Sequence, residues 1–263
     1  MSEIDTVSKK DTHDTSVTES ARVTVKKIPL RAHILGVTGE LLITAGVLMG
    51  LYIAWQLWFT SWEANTQQSS AVTLATQDWE ETPQTIGTPH YDEPPAFPHV
   101  KNLGGTIGVI HIPAFGDEWE YTILEGTSKE AILDKGAFGH YPETAFPGEI
   151  GNFSTAAHRN TYGAPMHYVE NLKEGDSIII ETKDTYYVYK IIGDRYVVNP
   201  SQGEVIWPVP RDEAGSQNPT ERLMTITTCH PYIGMTIERM ITHAKLDHWI
   251  PRSEGIPEEL AKK

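Results

Sequence analysis

The chain has 263 residues and carries 21 Lys and Arg against 35 Asp and Glu, so its formal net charge at neutral pH is −14. This length suffices for one well-buried domain with extensions but not for two full domains. A strongly acidic chain does not attract a phosphate backbone, which excludes nucleic-acid binding. The single cysteine cannot form an intramolecular disulfide, and no metal-ligand spacing is present, so we expect neither a metal nor another cofactor.

The N-terminal part of the chain divides into a polar tail and an apolar run. Residues 1–29 are rich in Ser, Thr, Asp and Lys without apolar periodicity, which predicts a disordered tail. Residues 30–62 are predicted to be a transmembrane segment with its flanks, because the run from Leu41 to Phe59 has the length of a spanning helix. A cleaved signal peptide is the alternative, but the run is longer than the usual apolar region of such peptides and ends in tryptophans rather than small residues.

The charges around this run predict its orientation. Basic residues from Arg22 to Arg31 precede it without an acid among them, whereas acidic residues beginning with Glu63 follow it. Positive charge favours the cytoplasmic side of a span. We therefore expect a single-pass membrane protein with a cytoplasmic N-terminus and an extracellular domain.

Residues 63–103 are polar and interrupted by prolines, and they cannot bury a core of their own. They are expected to form an extracellular linker that lifts the following domain off the membrane. Trp79, Tyr91 and Phe97 leave a second interpretation open, in which this segment lies across the surface of the domain.

Residues 104–250 contain short runs of strand-forming residues bounded by turn residues, and residues 251–263 form a C-terminal tail. The predicted strands are 106–112, 119–124, 137–141, 151–158, 177–182, 185–196, 222–229 and 236–246. Two short helices are expected, one opened by a capping box at 127–133 and one at 164–172. Many short strands with few helices predict an all-β domain that is a closed or nearly closed barrel.

The only cysteine, Cys229, lies at the end of a predicted strand. Pro231 cannot pair in a ladder and Gly234 permits a tight reversal, so the strand stops here and leaves the thiol at its exposed end. Because side chains alternate between the faces of a strand, His230 is expected to point away from the thiol. A nucleophile is one interpretation of Cys229, and a small buried apolar residue is the other.

A thiol at its ordinary pKa of about 8.5 is mostly protonated at neutral pH, so a cysteine nucleophile needs a nearby base or cation. Among the 11 histidines, His158 stands out because it ends a predicted strand of small residues. His140, His167 and His243 lack that setting. An ordinary surface or core histidine is the alternative for His158.

Arg239 follows Cys229 across the predicted turn, so antiparallel pairing of the two strands would bring it beside the thiol. A guanidinium there can stabilise negative charge on a substrate carbonyl without any proton transfer. The alternative is an ion pair with Glu238 or another surface acid.

Several motifs, in this order along the chain, resemble those of sortases, the cysteine transpeptidases of Gram-positive cell surfaces. The segments that carry the resemblance are His140–Pro142, Phe146–Phe153, Ala157–Pro165, Thr225–Pro231 and Glu238–Ala244. The last two are similar to the Thr-Leu-x-Thr-Cys signature with its downstream arginine, and the others to the histidine strand of class E sortases of Actinobacteria. Two departures, Ile226 for Leu and Ala157 for Gly, are conservative in volume.

The resemblance implies an eight-stranded β-barrel with two short helices. It also implies that Cys229 attacks the threonine carbonyl of a C-terminal sorting signal, and that His158 protonates the leaving amine. Arg239 would stabilise the oxyanion with help from Thr228. An amine of a peptidoglycan precursor, lipid II, would resolve the thioester, so the expected partners are surface proteins with sorting signals, this precursor and the membrane.

Tyr141 stands in a His-Tyr-Pro position that, in class E sortases, is associated with a preference for Leu-Ala-x-Thr-Gly over Leu-Pro-x-Thr-Gly. Alanine keeps a backbone N–H that proline lacks, and a phenolic oxygen in the groove can accept a hydrogen bond from it. Simple packing of Tyr141 beside Pro142 is the alternative.

Two other functions stay open. A pilin-polymerising sortase would use the same three residues, but such enzymes usually carry a C-terminal membrane anchor, and residues 247–263 have no apolar run. A non-catalytic, membrane-tethered β-barrel that binds a ligand would be indifferent to alkylation of Cys229.

Overall fold

The computed structural model describes residues 30–210, 217–232 and 237–261, and the predicted tail of residues 1–29 lies outside them. The chain divides into two compact units after Leu51. One α-helix, α1 (Leu30–Thr76), contains the point of division.

The N-terminal part of α1 carries the apolar run, most of which lies in the first unit. The stretch His33–Trp55 has a mean hydropathy of 1.9 and none of it is buried, so by length and composition this part of the helix could cross a membrane. Leu41, Leu42 and Ile43 expose 65%, 69% and 70% of their surface. A single N-terminal span at the predicted run therefore agrees with the structure.

The second unit is built on one sheet of nine strands. They are β1 (Thr106–His111), β2 (Glu120–Glu125), β3 (Phe138–His140), β4 (Gly151–Ala156), β5 (Ser177–Glu181), β6 (Thr185–Ile191), β7 (Tyr196–Val198), β8 (Arg222–His230) and β9 (Glu238–Pro251). Eight of them close a barrel in the order β1-β2-β3-β4-β8-β9-β6-β5, with β5 paired back to β1. The predicted eight-stranded barrel is confirmed, and β7 is an addition that pairs with β9.

Strand alternation fills the barrel with apolar side chains. Ile110, Ile123, Phe138, Phe153 and Met224 come from five strands, and all are completely buried in one cluster. Each such side chain contributes about 1.5–3 kcal/mol when it leaves water. The β2–β3 and β4–β8 pairs are parallel, and the other strand pairs are antiparallel.

The two predicted short helices are present as 3-10 turns, Leu133–Lys135 and Val169–Asn171. Gly136 ends the first turn with a φ of 83°, a left-handed conformation that glycine adopts without strain. The predicted C-terminal tail contains two further 3-10 turns, Arg252–Glu254 and Glu258–Leu260, which follow β9.

The segment between the span and the barrel packs against the barrel, where a free spacer was expected. Ala64, Gln68 and Val72 expose only 3%, 4% and 6% of their surface, and their spacing of four residues defines one buried face of α1. Residues 77–103 continue along the barrel. This matches the second interpretation of the segment, in which its aromatic residues lie on the domain.

Backbone pairing and ring contacts hold residues 77–103 in place. The main chain of His90 exchanges both hydrogen bonds with Trp249 of β9. Phe97 is 9% exposed and stacks on Phe146, with ring centroids 5.4 Å apart. A segment of polar composition can therefore be bound to the barrel through its backbone and a few aromatic rings, although its sequence resembles that of a free linker.

Candidate functional site

Three neighbouring strands bring Cys229, His158 and Arg239 to one cavity. The central strand, β8, lies between β4 and β9. On one side, Cys229 is the register partner of Arg239, so the predicted antiparallel pairing is confirmed. On the other side, Ala156 pairs with Thr227, so His158 follows this pair by two residues, as Cys229 does. The three side chains line a cavity of about 600 Å³.

Strand alternation separates the thiol from the neighbouring imidazole. His230 is not among the described residues that line the cavity, and its Nδ1 accepts a hydrogen bond of 3.1 Å from Nη1 of Arg159. The prediction that His230 points away from the thiol is confirmed. Arg159 is 1% exposed and also lies 3.5 Å from the carbonyl oxygen of Cys229. Arg159 thus holds the end of β8 from the face opposite the cavity.

Two contacts hold the ring of His158. Its Nε2 lies 2.8 Å from Oδ1 of Asp134, and its ring stacks on Tyr162 with centroids 5.3 Å apart. A carboxylate only accepts hydrogen bonds, so Nε2 carries the hydrogen of this bond and Nδ1 is the ring nitrogen without a bond to Asp134. Asp134 lies in the loop between β2 and β3, and no sequence pattern connected it with His158.

The carboxylate of Asp134 is shared between His158 and Lys129. Its Oδ2 accepts a hydrogen bond of 2.7 Å from Nζ of Lys129. Partial burial favours the neutral acid, but the hydrogen bonds and charges of Lys129 and His158 outweigh it and hold the pKa of Asp134 below its ordinary value. Asp134 is therefore an anion at neutral pH, hydrogen-bonded to the ring of His158.

Arg239 contributes a cation from the opposite side of the thiol. Its Nη1 donates to the main-chain oxygen of Glu238 at 2.9 Å. Within the described residues no carboxylate lies in ion-pair distance of this guanidinium, so the alternative of a Glu238 ion pair has no support. The remaining N–H groups of Arg239 can serve a carbonyl oxygen bound in the cavity.

The hydroxyl group of Tyr141 lies 2.9 Å from the hydroxyl group of Thr227, and both residues line the cavity. The sequence analysis did not single out Thr227, although it shares a strand face with Cys229. Thr228 is 2% exposed and donates its hydroxyl hydrogen to the carbonyl of Ala157 at 2.8 Å. That hydrogen bond joins β8 to the end of β4, and Thr228 also lines the cavity, so its part in stabilising an oxyanion stays a prediction.

A buried histidine supports the segment that carries Tyr141. The ring of His140 is completely buried, with Nδ1 2.6 Å from Oε2 of Glu125 and Nε2 3.1 Å from the carbonyl oxygen of Ala145. His140 does not line the cavity within the described part of the chain, in agreement with its lack of a catalytic setting in the sequence. In the same part of the chain, no group of three or more His, Cys, Asp or Glu side chains could hold a metal ion.

A family profile described as "Sortase domain" matches residues 110–247, slightly more than half of the chain and a range that contains all cavity residues named above. Two proteins of Streptomyces coelicolor are also similar to this chain. Sortase SrtE1 is 38% identical over 227 residues, and Sortase SrtE2 is 36% identical over 211 residues. The alignments cover 84% and 77% of this chain, and 60% and 78% of the relatives. The chain thus spans less than two thirds of the length of SrtE1.

Solved structures agree in fold. The SrtA sortase from Actinomyces oris has a TM-score of 0.61 and 40% identity, covering 67% of this chain and 98% of that one. Sortase E from Streptomyces avermitilis has a TM-score of 0.54 and 37% identity, and the match covers 61% of this chain and 99% of that one. Sortase E1 from Streptomyces coelicolor, solved with a tripeptide in the active site, has a TM-score of 0.53 and 40% identity, covering 60% and 96%.

Proposed function

This chain belongs to the sortase family of cysteine transpeptidases, and on that premise we propose that Cys229, His158 and Arg239 are its catalytic residues. The observation that carries the proposal is the cavity that these three side chains share on adjoining strands. Thiol chemistry in this chain has no other source, because Cys229 is its only cysteine.

In the first half of the reaction, the thiol proton of Cys229 passes to His158, and the sulfur attacks the carbonyl carbon of the threonine in a sorting signal. The bond from this carbon to the next residue's nitrogen breaks, and His158 gives its proton to the leaving amine. The product is a thioester on the enzyme. Arg239 stabilises the negative charge that develops on the carbonyl oxygen, a contribution of about 10²–10³ in rate for a well-placed donor.

In the second half, the amine of a peptidoglycan precursor, lipid II, attacks the thioester carbon. His158 takes a proton from this amine, the new amide forms, and the sulfur leaves. His158 thus acts first as an acid and then as a base, and the anionic carboxylate of Asp134 stabilises its protonated form before the first transfer and after the second.

Recognition of the signal involves Tyr141. When its hydroxyl donates to Thr227, its oxygen lone pairs remain available for the N–H of an alanine at the second signal position. A proline there has no N–H and leaves this oxygen unpaired, which costs about 1–3 kcal/mol and corresponds to roughly ten- to a hundredfold selectivity. We therefore assign a preference for Leu-Ala-x-Thr-Gly over Leu-Pro-x-Thr-Gly.

The proposed location is the outer face of the cell membrane. The apolar part of α1 is long enough for a single span, and the basic residues that precede it favour a cytoplasmic N-terminus. Clients with sorting signals and the lipid-linked precursor would both meet the catalytic unit there.

The test uses the full chain in detergent micelles, with a Leu-Ala-x-Thr-Gly peptide and a soluble amine that carries the precursor's peptide stem. We expect a transpeptidation product, and an acyl adduct on Cys229 that mass spectrometry detects before the amine is added. Cys229→Ala should reduce turnover to background while its thermal unfolding stays that of the wild type. Turnover in this variant would overturn the proposal, and transfer to a lysine side chain of a protein acceptor would identify a pilin-polymerising enzyme instead.

A further inference from the structure

We propose that the C-terminal part of α1 belongs to the support of the active site, and that Gln68 and Asp134 are positioning residues for His158. In this arrangement Gln68 fixes the turn Leu133–Lys135, so that Asp134 within that turn can hold the histidine ring. The inference rests on the proposed function, because it assumes that His158 moves the proton in the reaction.

Gln68 joins α1 to both the barrel and the turn. It is 4% exposed, and its Nε2 donates to the carbonyl oxygen of Lys135 at 2.8 Å. Its Oε1 accepts hydrogen bonds from the backbone N and the hydroxyl group of Thr122, at 3.1 and 2.8 Å. One buried amide therefore connects the helix, strand β2 and the turn that contains Asp134.

Close packing at Gly136 reinforces this connection. A methyl group in place of the Gly136 hydrogen would lie 3.2 Å from Cγ of Gln68 and 3.1 Å from the carbonyl oxygen of Tyr162. The helix, the end of the turn and the residue that stacks on His158 thus meet without space for a side chain. Asp134 precedes Gly136 by two residues and Tyr162 contacts it, so both residues that hold the ring of His158 lie close to this packing point.

The sequence of residues 64–76 explains why a glutamine is needed. This stretch is mostly Thr, Ser, Gln and Ala, and a segment of such length is a marginal helix by itself. Gln68 is a buried polar side chain of this stretch with three hydrogen bonds, and a buried amide that loses its partners is costly. The bonds of Gln68 therefore fix the helix at one defined position on the barrel.

The turn Leu133–Lys135 carries the charged side chain of Asp134, so the position of the turn affects the reaction that His158 assists. The groups that face Asp134 are Lys129, at 2.7 Å, and His158, at 2.8 Å. Lys129 in turn lies 5.3 Å from the ring centroid of Tyr162 and has a charge interaction with Glu130. A displaced turn would weaken the hold of Asp134 on the protonated ring, because misplacement by about 1 Å can cost a hundredfold in rate.

The experiment compares Gln68→Glu, Asp134→Asn and the double variant in the full chain in detergent micelles. Gln68→Glu keeps the shape of the side chain, but it replaces Nε2, which donates to the carbonyl oxygen of Lys135, with a carboxylate oxygen. We expect each single variant to lower kcat about tenfold with KM within a factor of two. In both single variants, the limb of the kcat/KM profile that falls with rising pH should move to lower pH. The reason is that the protonated ring of His158 has lost the stabilisation that Asp134 provides. The double variant should be no slower than Asp134→Asn alone.

Ser70→Ala is the matched control, because Ser70 is exposed on the same helix and its hydroxyl contacts the Thr66 carbonyl. It should behave as the wild type. Should Gln68→Glu fail to fold, Thr122→Val removes one hydrogen bond to the same amide, and a smaller loss in kcat with the same shift of the pH profile is expected.

Wild-type kcat and pH profile in a folded Gln68→Glu or Thr122→Val variant would overturn the inference, as would independent, multiplicative losses in the double variant. The proposed function fails separately, if Cys229→Ala or His158→Ala retains turnover. Inactive Cys229→Ala together with unchanged Gln68 and Asp134 variants would remove only the positioning role.

Discussion

Cys229 and Arg239 are direct register partners on two antiparallel strands, with the thiol on β8 and the guanidinium on β9. Both residues are therefore held by a backbone ladder and not by a loop, and the separation of their Cα atoms is set by strand geometry. A cation at this position is a fixed part of the site. The planar arrangement of donors in the guanidinium of Arg239 can then matter for catalysis as much as its positive charge.

Arg239→Lys is predicted to lower kcat/KM for the sorting-signal peptide by about a hundredfold. Lysine keeps the positive charge but lacks the planar fork of donors that a carbonyl oxygen requires. Peptide cleavage measures the effect, and the rate of Cys229 alkylation by iodoacetamide serves as the control for an intact site. Near-normal kcat/KM in the variant would reduce Arg239 to a generic cation.

His158→Ala and His230→Ala are predicted to differ by at least about a hundredfold in kcat, because general acid-base catalysis contributes about 10²–10⁴. His230 is bound to Arg159 on the other face of β8, so its loss should affect mainly stability. Steady-state cleavage and thermal unfolding of both variants distinguish these effects. Equal losses of kcat would show that His230 also serves the thiol.

Tyr141→Phe is predicted to remove most of the preference for an alanine signal over a proline signal, a change of roughly ten- to a hundredfold. Thr227→Val is the matched partner variant, because it deletes the hydroxyl that contacts Tyr141 and leaves the phenol in place. It should lower the preference by less. The measurement is kcat/KM for two peptides that differ only at the second position, and an unchanged ratio in Tyr141→Phe would mean that Tyr141 only packs beside Pro142.

Glu181→Gln is predicted to destabilise the fold by about 2 kcal/mol at pH 7, and by much less in acid. Burial raises the pKa of Glu181, but the hydrogen bond from His111 and the charges of His111 and Arg252 outweigh it, so the pKa lies below its ordinary value of 4.5. A carboxylate with a lowered pKa in the folded state stabilises the protein above its unfolded-state pKa, and this stabilisation is lost as the pH falls through the folded-state value.

Urea unfolding at a series of pH values tests the predicted pH dependence of the destabilisation by Glu181→Gln. The difference between wild type and Glu181→Gln should shrink as the pH falls below 4.5, the ordinary value. Glu174→Gln, on an exposed loop, should show no such difference. A constant difference at every pH would contradict the assignment of the stabilisation to the ionised form.

Patterns within single strands made most of the barrel predictable. The alternation around Cys229 separated it correctly from His230, and the turn expected after Pro231, of which residues 233–236 lie outside the described residues, predicted the register with Arg239. These relationships depend on neighbours in one strand or one hairpin, and such local geometry can be derived from the residue order. The three-residue strand β7 was too short to be distinguished from the end of the strand before it.

Contacts between distant segments could not be predicted in this way. Asp134 reaches His158 because β3 returns parallel to β2 and brings the intervening loop to the end of β4. Gln68 reaches the same loop from a helix whose polar composition resembles a spacer. In both cases one of the two groups in contact lies in the loop between β2 and β3. No periodic pattern in the sequence identifies such a group.

The attachment of the segment before the barrel has a mechanical consequence. Gln68 is bound to β2, Trp79 lies over the guanidinium of Arg252 at 5.1 Å, and Gly87 donates to the carbonyl of Ile256. Tension applied to the chain from the side of α1 reaches these contacts in that order, one at a time. Each is weaker than the closed ladder of the barrel, so we expect such attachments to yield under load before β8, the strand that carries the thiol, is pulled apart.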